Sequence, residues 1–81
     1  MLTDQFVAYA RRRIKNNNDK SLRDVDLNDC ILFCRSRATC RTVDYKSDPR
    51  RCHAQTVTKL DLPDSDWSFC EHCVSYQRVC L

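Results

Sequence analysis

The chain has 81 residues, seven of them cysteine and none of them glycine, and its formal net charge is +3 at neutral pH. A chain of this length forms one domain, and it buries too small a fraction of its surface to be very stable without covalent cross-links. Without glycine it can form neither a glycine-rich phosphate loop nor a serine nucleophile elbow, and no apolar stretch is long enough to span a membrane. We therefore expect a small binding domain rather than an enzyme, with no catalytic residues.

The cysteine content and the start of the chain bear on where the protein works. So many cysteines in a short chain are typical of a disulfide scaffold in an oxidising compartment. Met1 is followed by no apolar run, so no signal peptide is predicted, and we interpret the chain as a mature or excised domain of a larger secreted or cell-surface protein. The competing interpretation is an intracellular metal-binding protein that keeps the same cysteines reduced.

Residues 5–14 form the first predicted element. Their apolar residues fit neither the helical nor the strand period cleanly, and the alanines favour a helix. Periodicity alone therefore favours a helix slightly and leaves a strand open. A basic cluster, Arg11, Arg12, Arg13 and Lys15, lies at the end of this element, and such a cluster is usually a solvated surface.

The densest cysteine pattern begins on a predicted helix. Cys30 and Cys34 are one helical turn apart, so on a helix both side chains face the same way. We predict this helix over about residues 29–38, with Asn28 or Asp29 as its N-cap.

A hairpin is predicted after the helix. Residues 40–45 have the β-branched and aromatic enrichment of a strand, residues 46–49 have turn chemistry, and residues 51–54 suit a returning strand. A β-prone piece at residues 56–60 and a loop at residues 61–66 follow. In the last predicted strand Trp67 and Phe69 alternate, so we expect both side chains to point into the core.

The cysteine spacing in this region resembles a known family. Asp29-Cys-Ile-Leu-Phe-Cys34, followed by Cys40, Tyr45 and Cys52, is similar to the core pattern of the PAN/apple domain family. That pattern has two cysteines on a helix, a third soon after, an aromatic residue in the next strand and a fourth cysteine in the strand after it. The chain departs from the apple type because no cysteine precedes Cys30, so a bridge between the termini cannot form.

The resemblance implies an α+β fold, a small disulfide-rich domain with one helix packed on a curled antiparallel sheet. It implies a single domain over residues 1–81, with a core of about residues 6–73 and a cysteine-containing tail at residues 74–81. Residues 6–14 would form the first strand, against their slight helical preference, and residues 66–69 the closing strand. The resemblance also implies two disulfides, Cys30–Cys52 and Cys34–Cys40.

The last three cysteines, Cys70, Cys73 and Cys80, lie outside the central pattern and cannot all pair among themselves. On an extended strand Cys70 and Cys73 point to opposite faces, so a bridge between them would be strained unless the strand breaks there. We therefore favour a bridge from Cys73 or Cys70 to Cys80 across a turn through residues 74–79. The remaining thiol would be free or would pair with a second chain.

A zinc site is the alternative use of these cysteines. Cys70, Cys73 and Cys80 would supply thiolates, and His72 or His53 would complete a tetrahedron. This would make the chain a small intracellular zinc-binding or nucleic-acid-binding domain. One Cys-x-x-Cys without a second is a weak signal, so we predict no metal and no other cofactor. The aromatic residues suit a core better than a base-stacking surface, so we expect no nucleic-acid partner.

The resemblance implies an extracellular interaction module that binds protein or carbohydrate. Its partners would be a protein or a glycan, with a disulfide-linked second chain or further domains of a longer protein as additional possibilities, and no membrane insertion. Arginine outnumbers lysine ten to four, and arginine favours bidentate pairing with sulfate, carboxylate or phosphate. An acidic glycan is therefore a candidate ligand. The basic residues expected to contact it are Arg11, Arg12, Arg13, Lys15, Arg35 and Arg37.

Overall fold

The computed structural model describes residues 4–15 and 20–80, which form five β-strands and one α-helix. The elements are β1 (Asp4–Ile14), β2 (Lys20–Arg23), α1 (Leu27–Arg35), β3 (Thr42–Ser47), β4 (Arg50–Gln55) and β5 (Trp67–Cys80), with 3₁₀ turns at Lys59–Asp61 and Asp64–Asp66. The strands form one antiparallel sheet in the order β1-β5-β3-β4-β2. The predicted fold class, an α+β disulfide-rich domain with one helix on an antiparallel sheet, is confirmed.

Helix α1 begins at Leu27, two residues before its predicted start at about residue 29. Asp26 has extended backbone, and its Oδ1 accepts a hydrogen bond from the Asp29 N–H at 2.8 Å. Asp26 is therefore the N-cap, and the prediction of Asn28 or Asp29 is wrong, because both residues already lie inside the helix. The helix also ends earlier than predicted, at Arg35, where the Ser36 hydroxyl donates to the Phe33 carbonyl at 2.7 Å.

An arginine from the last strand stabilises the C-terminal end of α1. The last carbonyls of a helix lack partners within the helix. Nη1 of Arg78 donates to the carbonyl oxygens of Cys34 at 3.1 Å, Arg37 at 3.0 Å and Cys40 at 3.2 Å. A cation near a helix C-terminus also interacts favourably with the helix dipole. Arg78 thus connects β5 to the turn that follows the helix.

Cysteine sulfur makes up much of the core between α1 and the sheet. Cys30, Cys34 and Cys52 are completely buried, and they pack with three other buried residues, Cys40, Val43 and Ala54. A Cys30–Cys52 bridge joins α1 to β4 with a Cα–Cα distance of 5.7 Å, and a Cys34–Cys40 bridge joins α1 to the segment before β3 with a distance of 5.2 Å. These are the two pairings that the family resemblance implies.

The opposite face of the sheet carries buried polar side chains. On β3, Thr42 and Asp44 point away from α1 because side chains alternate along a strand. The chain folds over this face, where the Ile14 N–H donates to Asp44 Oδ2 at 2.8 Å and the Thr42 hydroxyl donates to the Val57 carbonyl at 2.7 Å. The buried polar residues are Thr42, Asp44, Gln55, Ser75 and Gln77. Each of them reaches a protein partner, which offsets the cost of its burial.

The last strand is much longer than predicted. β5 continues through residues 74–80, pairing with β1 from Val74 to Cys80 and with β3 from Cys73 to Gln77. Residues 74–80, which we assigned to a tail separate from the core, thus continue the last strand of the same sheet. The predicted burial of Phe69 is also wrong, because its side chain is 63% exposed. Trp67 is half-buried and makes an edge-to-face contact with Tyr9 at 5.6 Å between ring centroids.

Two further segments depart from their local sequence preferences. Residues 4–14 form a strand, as the resemblance implies, because β1 pairs with β5 along its length and this pairing outweighs the helical preference of its alanines. Residues 56–60, which we predict to be β-prone, instead contain the start of a 3₁₀ turn. The turn is held by the Thr58 N–H, which donates to the Asp61 carboxylate at 2.9 Å.

A bulge interrupts the pairing of β1 with β5. The register passes from Ala10 opposite Val74 to Arg12 opposite Phe69, so residues 70–73 lie opposite Arg11 alone. Arg11 has a φ of 60°, in the left-handed region that non-glycine residues seldom adopt. The break in the strand brings together two side chains that regular extended geometry would separate.

The bridge at this bulge corrects the predicted pairing of the last three cysteines. Cys70 is bonded to Cys73, with a Cα–Cα distance of 5.3 Å. The favoured bridge from Cys73 or Cys70 to Cys80 is wrong for two reasons: the bulge provides the break that a direct bridge requires, and the seven extended residues from Cys73 to Cys80 span about 23 Å. The backbone of Cys80 lies opposite Asp4, and its side chain lies outside the described part of the structure.

The two core bridges are expected to differ in their contributions to stability. In the loop-entropy description, removing Cys30–Cys52 as a double alanine variant lowers the free energy of unfolding by about 3 kcal/mol, and removing Cys34–Cys40 lowers it by about 2 kcal/mol. The difference arises because the first bridge spans 22 residues and the second spans 6. Urea denaturation of both variants measures this. A larger loss for the Cys34–Cys40 variant would contradict the expectation.

Candidate functional site

Three cations lie side by side across the sheet. The register places Lys46 of β3 opposite Arg51 of β4, and Arg51 opposite Arg23 of β2. We call Arg23, Arg51 and Lys46 the basic row. Directly opposite residues of an antiparallel pair have Cβ atoms about 4.5–5.5 Å apart, and like charges at these positions destabilise a sheet. The row is therefore a site at which a negatively charged group would relieve repulsion.

A cavity of about 320 Å³ opens at one end of the basic row. Its basic lining residues are Arg13, Lys46, Arg51 and His53, and its wall on the β5 side is the Cys70–Cys73 bridge. We call this cavity, with those lining residues, the basic cavity. Arg13 comes from β1, beyond the bulge at Arg11, where this end of the paired strands β1 and β5 folds over the polar face of the sheet. The bulge thus places a fourth basic side chain beside residues from β3 and β4.

Asp44 is the buried carboxylate in the cavity lining. It is 4% exposed, and its Oδ2 accepts hydrogen bonds from the Ile14 N–H at 2.8 Å and from Gln55 Nε2 at 3.1 Å. Burial raises the pKa of Asp44, while these hydrogen bonds and the charge of Arg13 act in the opposite direction. These contacts show that Asp44 holds the end of β1 against the sheet. Because this carboxyl group is buried, the charges that a ligand could reach in the cavity are the positive ones.

His53 is a titratable side chain in the lining of the cavity, and histidine is the residue type that ordinarily changes charge between about pH 5 and pH 8. Its ring is half-buried, and its Nδ1 lies 2.8 Å from the Ser21 hydroxyl on the neighbouring strand. Burial lowers the pKa of His53, and the positive charges of Arg51 and Arg13 lower it further. An anion in the basic cavity would reverse the effect of those charges and favour the protonated ring.

Comparison with known proteins identifies the family. The family model described as PAN domain matches residues 4–80, which is nearly the whole chain. The chain belongs to the PAN domain family. PAN domains are interaction modules for protein or carbohydrate and occur in extracellular proteins, and the three disulfides fit such use. No curated protein and no solved structure matches the chain significantly.

This PAN domain does not bring the six predicted ligand-binding residues together. Arg13 lines the basic cavity, while Arg11 and Arg12 are exposed on β1, and the Lys15 N–H donates to the Asp66 carbonyl at 2.8 Å. Arg35 and Arg37 lie on the other side of the sheet, at the end of α1. Their guanidinium carbons are 5.6 Å from the Phe6 ring centroid and 5.1 Å from the Phe33 ring centroid.

From the sequence, Arg23, Lys46 and Arg51 are assigned to no site, and His53 is considered only as a zinc ligand. The register of the β3–β4 hairpin is the sequence signal that would have placed Lys46 beside Arg51. A two-residue turn at Asp48-Pro49 pairs Ser47 with Arg50 and consequently Lys46 with Arg51. Predicting a four-residue turn over residues 46–49 removed Lys46 from the strand and concealed this pairing.

The zinc alternative has no support. Cys70 and Cys73, two of its proposed ligands, form a disulfide, and His72 is an exposed residue 4.0 Å from the Glu71 carboxylate. Within residues 4–15 and 20–80, no group of three or more His, Cys, Asp or Glu side chains could hold a metal ion. No helix in the same ranges is long and apolar enough to cross a membrane.

The lowered pKa of His53 predicts a pH dependence of stability. Well above its ordinary pKa of 6.5, His53 is neutral in the folded and in the unfolded chain, and its contribution to the free energy of unfolding is fully present. As the pH falls below 6.5, the unfolded chain takes up the proton first, so the contribution is lost as the pH approaches the lower pKa of the folded state. The stability of the wild type relative to His53→Gln should therefore be smaller at about pH 5 than at about pH 8.

Urea denaturation of both proteins at both pH values measures this difference. The raised pKa of Asp44 has the opposite sign, since a group that binds protons more tightly when folded loses its stabilising effect as the pH rises. Because both proteins contain Asp44, that contribution largely cancels in the comparison. An unchanged or larger wild-type advantage at the lower pH would show that His53 is not held neutral in the folded domain.

Proposed function

We propose that this PAN domain is a secreted, non-catalytic module that binds an acidic glycan, with sulfated glycans as the ligand class, through the basic cavity and the basic row. The observation that carries the proposal is the cross-strand alignment of Lys46, Arg51 and Arg23 beside Arg13. The repulsion within this row is a cost in the free domain that anionic groups of a ligand would offset.

The geometry of the row favours a linear ligand with repeated charges. Adjacent strands are about 4.8 Å apart, so the backbone positions of Lys46 and Arg23 are separated by about 10 Å. Sulfate and carboxylate groups recur along an acidic glycan, and a chain crossing the strands can meet successive cations. Arg51 and Arg23 can bind such groups through two hydrogen bonds each, while Lys46 acts as a compact charge.

A second chain or a further segment of a longer protein is the other partner that we propose. The three bridges use six of the seven cysteines, and the seventh is Cys80 at the end of β5. In an oxidising compartment a remaining cysteine tends to pair with another thiol. A protein ligand could also use the basic row, with acidic side chains in place of sulfate groups.

Binding to a heparin column, compared with a plain cation exchanger of similar capacity, tests the glycan proposal. Lys46→Gln/Arg51→Gln should weaken binding by at least about tenfold, because each hydrogen bond to a charged group contributes about 1.5 kcal/mol or more. Arg35→Gln/Arg37→Gln removes the same charge on the α1 side of the sheet and serves as the matched control. Its retention should remain close to that of the wild type.

Two results would contradict different parts of this proposal. Wild-type retention on heparin no greater than on the cation exchanger would reject glycan recognition itself. Equal losses in the two double variants would show that net charge determines binding and would reject the basic cavity as its site. Retention of the wild type should also fall steeply with salt, because exposed charges are screened over about 8 Å at physiological ionic strength.

Thiol counting tests the role of Cys80. Denatured, unreduced chain should contain one titratable thiol if Cys80 is free, because the other six cysteines are in bridges. If Cys80 joins two chains, the thiol disappears and non-reducing electrophoresis shows a dimer that reduction separates. A Cys80→Ser variant should be monomeric and free of thiol. Dimers that persist in this variant under non-reducing conditions would contradict the assignment to Cys80.

A further inference from the structure

The three disulfides differ in their access to solvent. Cys30, Cys34 and Cys52 are completely buried, and Cys40 is 4% exposed, so the two core bridges are shielded by the packing of α1 on the sheet. The Cys70–Cys73 bridge forms a wall of the basic cavity, where Cys70 is partly exposed and Cys73 is 7% exposed. A dissolved thiol can therefore approach Cys70 without any unfolding of the core.

The third bridge also differs in what it connects. Both cysteines belong to β5, and the residues between them lie at the bulge opposite Arg11. On either side of the bulge the backbone of β5 pairs with β1, Phe69 with Arg12 and Val74 with Ala10. These backbone pairings hold β5 to β1 without the bridge. Opening this bridge therefore separates no two elements of the fold, whereas opening Cys30–Cys52 would release α1 from β4.

The charges around the bridge favour its opening at Cys73. Cys73 lies directly opposite Lys46, and Lys46 lies opposite Arg51, while Arg13 lines the same cavity. Nearby cations lower the pKa of a cysteine thiol, and a thiolate with a lower pKa is a better leaving group in disulfide exchange. Among the residues that line the cavity, the carboxylate is that of Asp44, which is buried and accepts hydrogen bonds from Ile14 and Gln55. Glu71, which follows Cys70, is exposed. The lining of the cavity therefore carries three permanent cations, Arg13, Lys46 and Arg51, against one buried carboxyl group.

We propose that the Cys70–Cys73 bridge is a reducible disulfide that reacts with low-molecular-weight thiols carrying carboxylate groups. In the first step the thiolate of the small molecule attacks the sulfur of Cys70, and Cys73 leaves as a thiolate. In the second step another thiolate of the same kind attacks the small-molecule sulfur of the mixed disulfide, releasing the thiolate of Cys70. Two small thiols are thereby oxidised to their disulfide, and the protein bridge is reduced to two thiols with their protons.

The basic cavity has two roles in this reaction. Its cations attract the carboxylates of the small thiol to the exposed side of the bridge, and they stabilise the departing thiolate of Cys73. The proposal does not depend on the glycan ligand, because both roles require only the charges and the exposure of the bridge. It assigns the Cys-x-x-Cys segment to a redox-sensitive modification site.

Glutathione is a suitable probe because it carries two carboxylates. The Cys80→Ser protein, which lacks the seventh thiol, is equilibrated over a series of ratios of reduced to oxidised glutathione, quenched with acid, alkylated and mapped by mass spectrometry. Cys70 and Cys73 should become alkylated at ratios that leave Cys30–Cys52 and Cys34–Cys40 intact, and the transient glutathione adduct should be on Cys70. Simultaneous opening of all three bridges, or an adduct mainly on Cys73, would overturn the proposal.

Charge variants distinguish this mechanism from simple exposure. Lys46→Gln should slow reduction by glutathione by roughly threefold or more. The substitution removes a positive charge that attracts the incoming glutathione and stabilises the leaving thiolate of Cys73. Lys59→Gln is the matched control, since its ammonium lies 4.2 Å from the Tyr9 ring centroid and outside the basic cavity. Equal rates for the wild type and Lys46→Gln would reject the role of the cavity.

A cationic small thiol, cysteamine, provides the complementary probe. Its reaction should be slowed less by Lys46→Gln than that of glutathione, because it loses repulsion when the lysine charge is removed. An identical effect of the variant on both thiols would contradict attraction of carboxylates to the cavity. Circular dichroism of a Cys70→Ser/Cys73→Ser variant checks that the fold survives without the bridge, and an unfolded variant would refute the local character of the opening.

Discussion

The covalent attachment of α1 to the sheet is the constraint on which the remaining structure depends. Cys30–Cys52 links the helix to β4, and Cys34–Cys40 turns the chain back towards β3. A chain of this size has few large apolar side chains to bury, so the bridges supply stability that a hydrophobic core would provide in a larger domain. Arg78 completes the attachment by binding the carbonyls at the end of the helix.

Attaching the helix to one face leaves a polar face available for the site. Along β3, Val43 is buried beneath α1, whereas Asp44 and Lys46 lie on the other face. The C-terminal end of β1 covers Asp44 through the Ile14 N–H but leaves Lys46 at an open cavity. The same alternation that builds the core thus determines which charges remain accessible to a ligand.

The bulge at Arg11 connects the two properties that we assign to this PAN domain. It directs the end of β1 over the sheet, which brings Arg13 to the basic cavity, and it places Cys70 and Cys73 close enough to be bonded. A sulfated ligand and a carboxylate-bearing thiol would therefore approach the same positive surface. If both proposals hold, occupation of the cavity by a glycan would shield the bridge from reduction, and the redox state of the domain would depend on ligand binding.

The amino-acid sequence determined the elements whose signals are local. The spacing of Cys30 and Cys34 identified the helix, the family pattern implied their partners Cys52 and Cys40, and the hairpin followed from turn residues around Pro49. The helix cap was misplaced because Asp26, Asn28 and Asp29 are all good N-caps, and only the entry angle of the chain selects among them.

The tertiary structure decided which basic residues meet and how the last cysteines pair. Arg13 and Arg35 both belong to basic segments of the sequence, yet they lie on opposite faces of the sheet, because strand alternation and the position of α1 separate them. Cys70 and Cys73 are bonded because a mismatch between β1 and β5 leaves residues 70–73 without regular partners on β1. Such a mismatch depends on where two strands distant in sequence align, and that alignment is a property of the whole sheet, not of either strand alone.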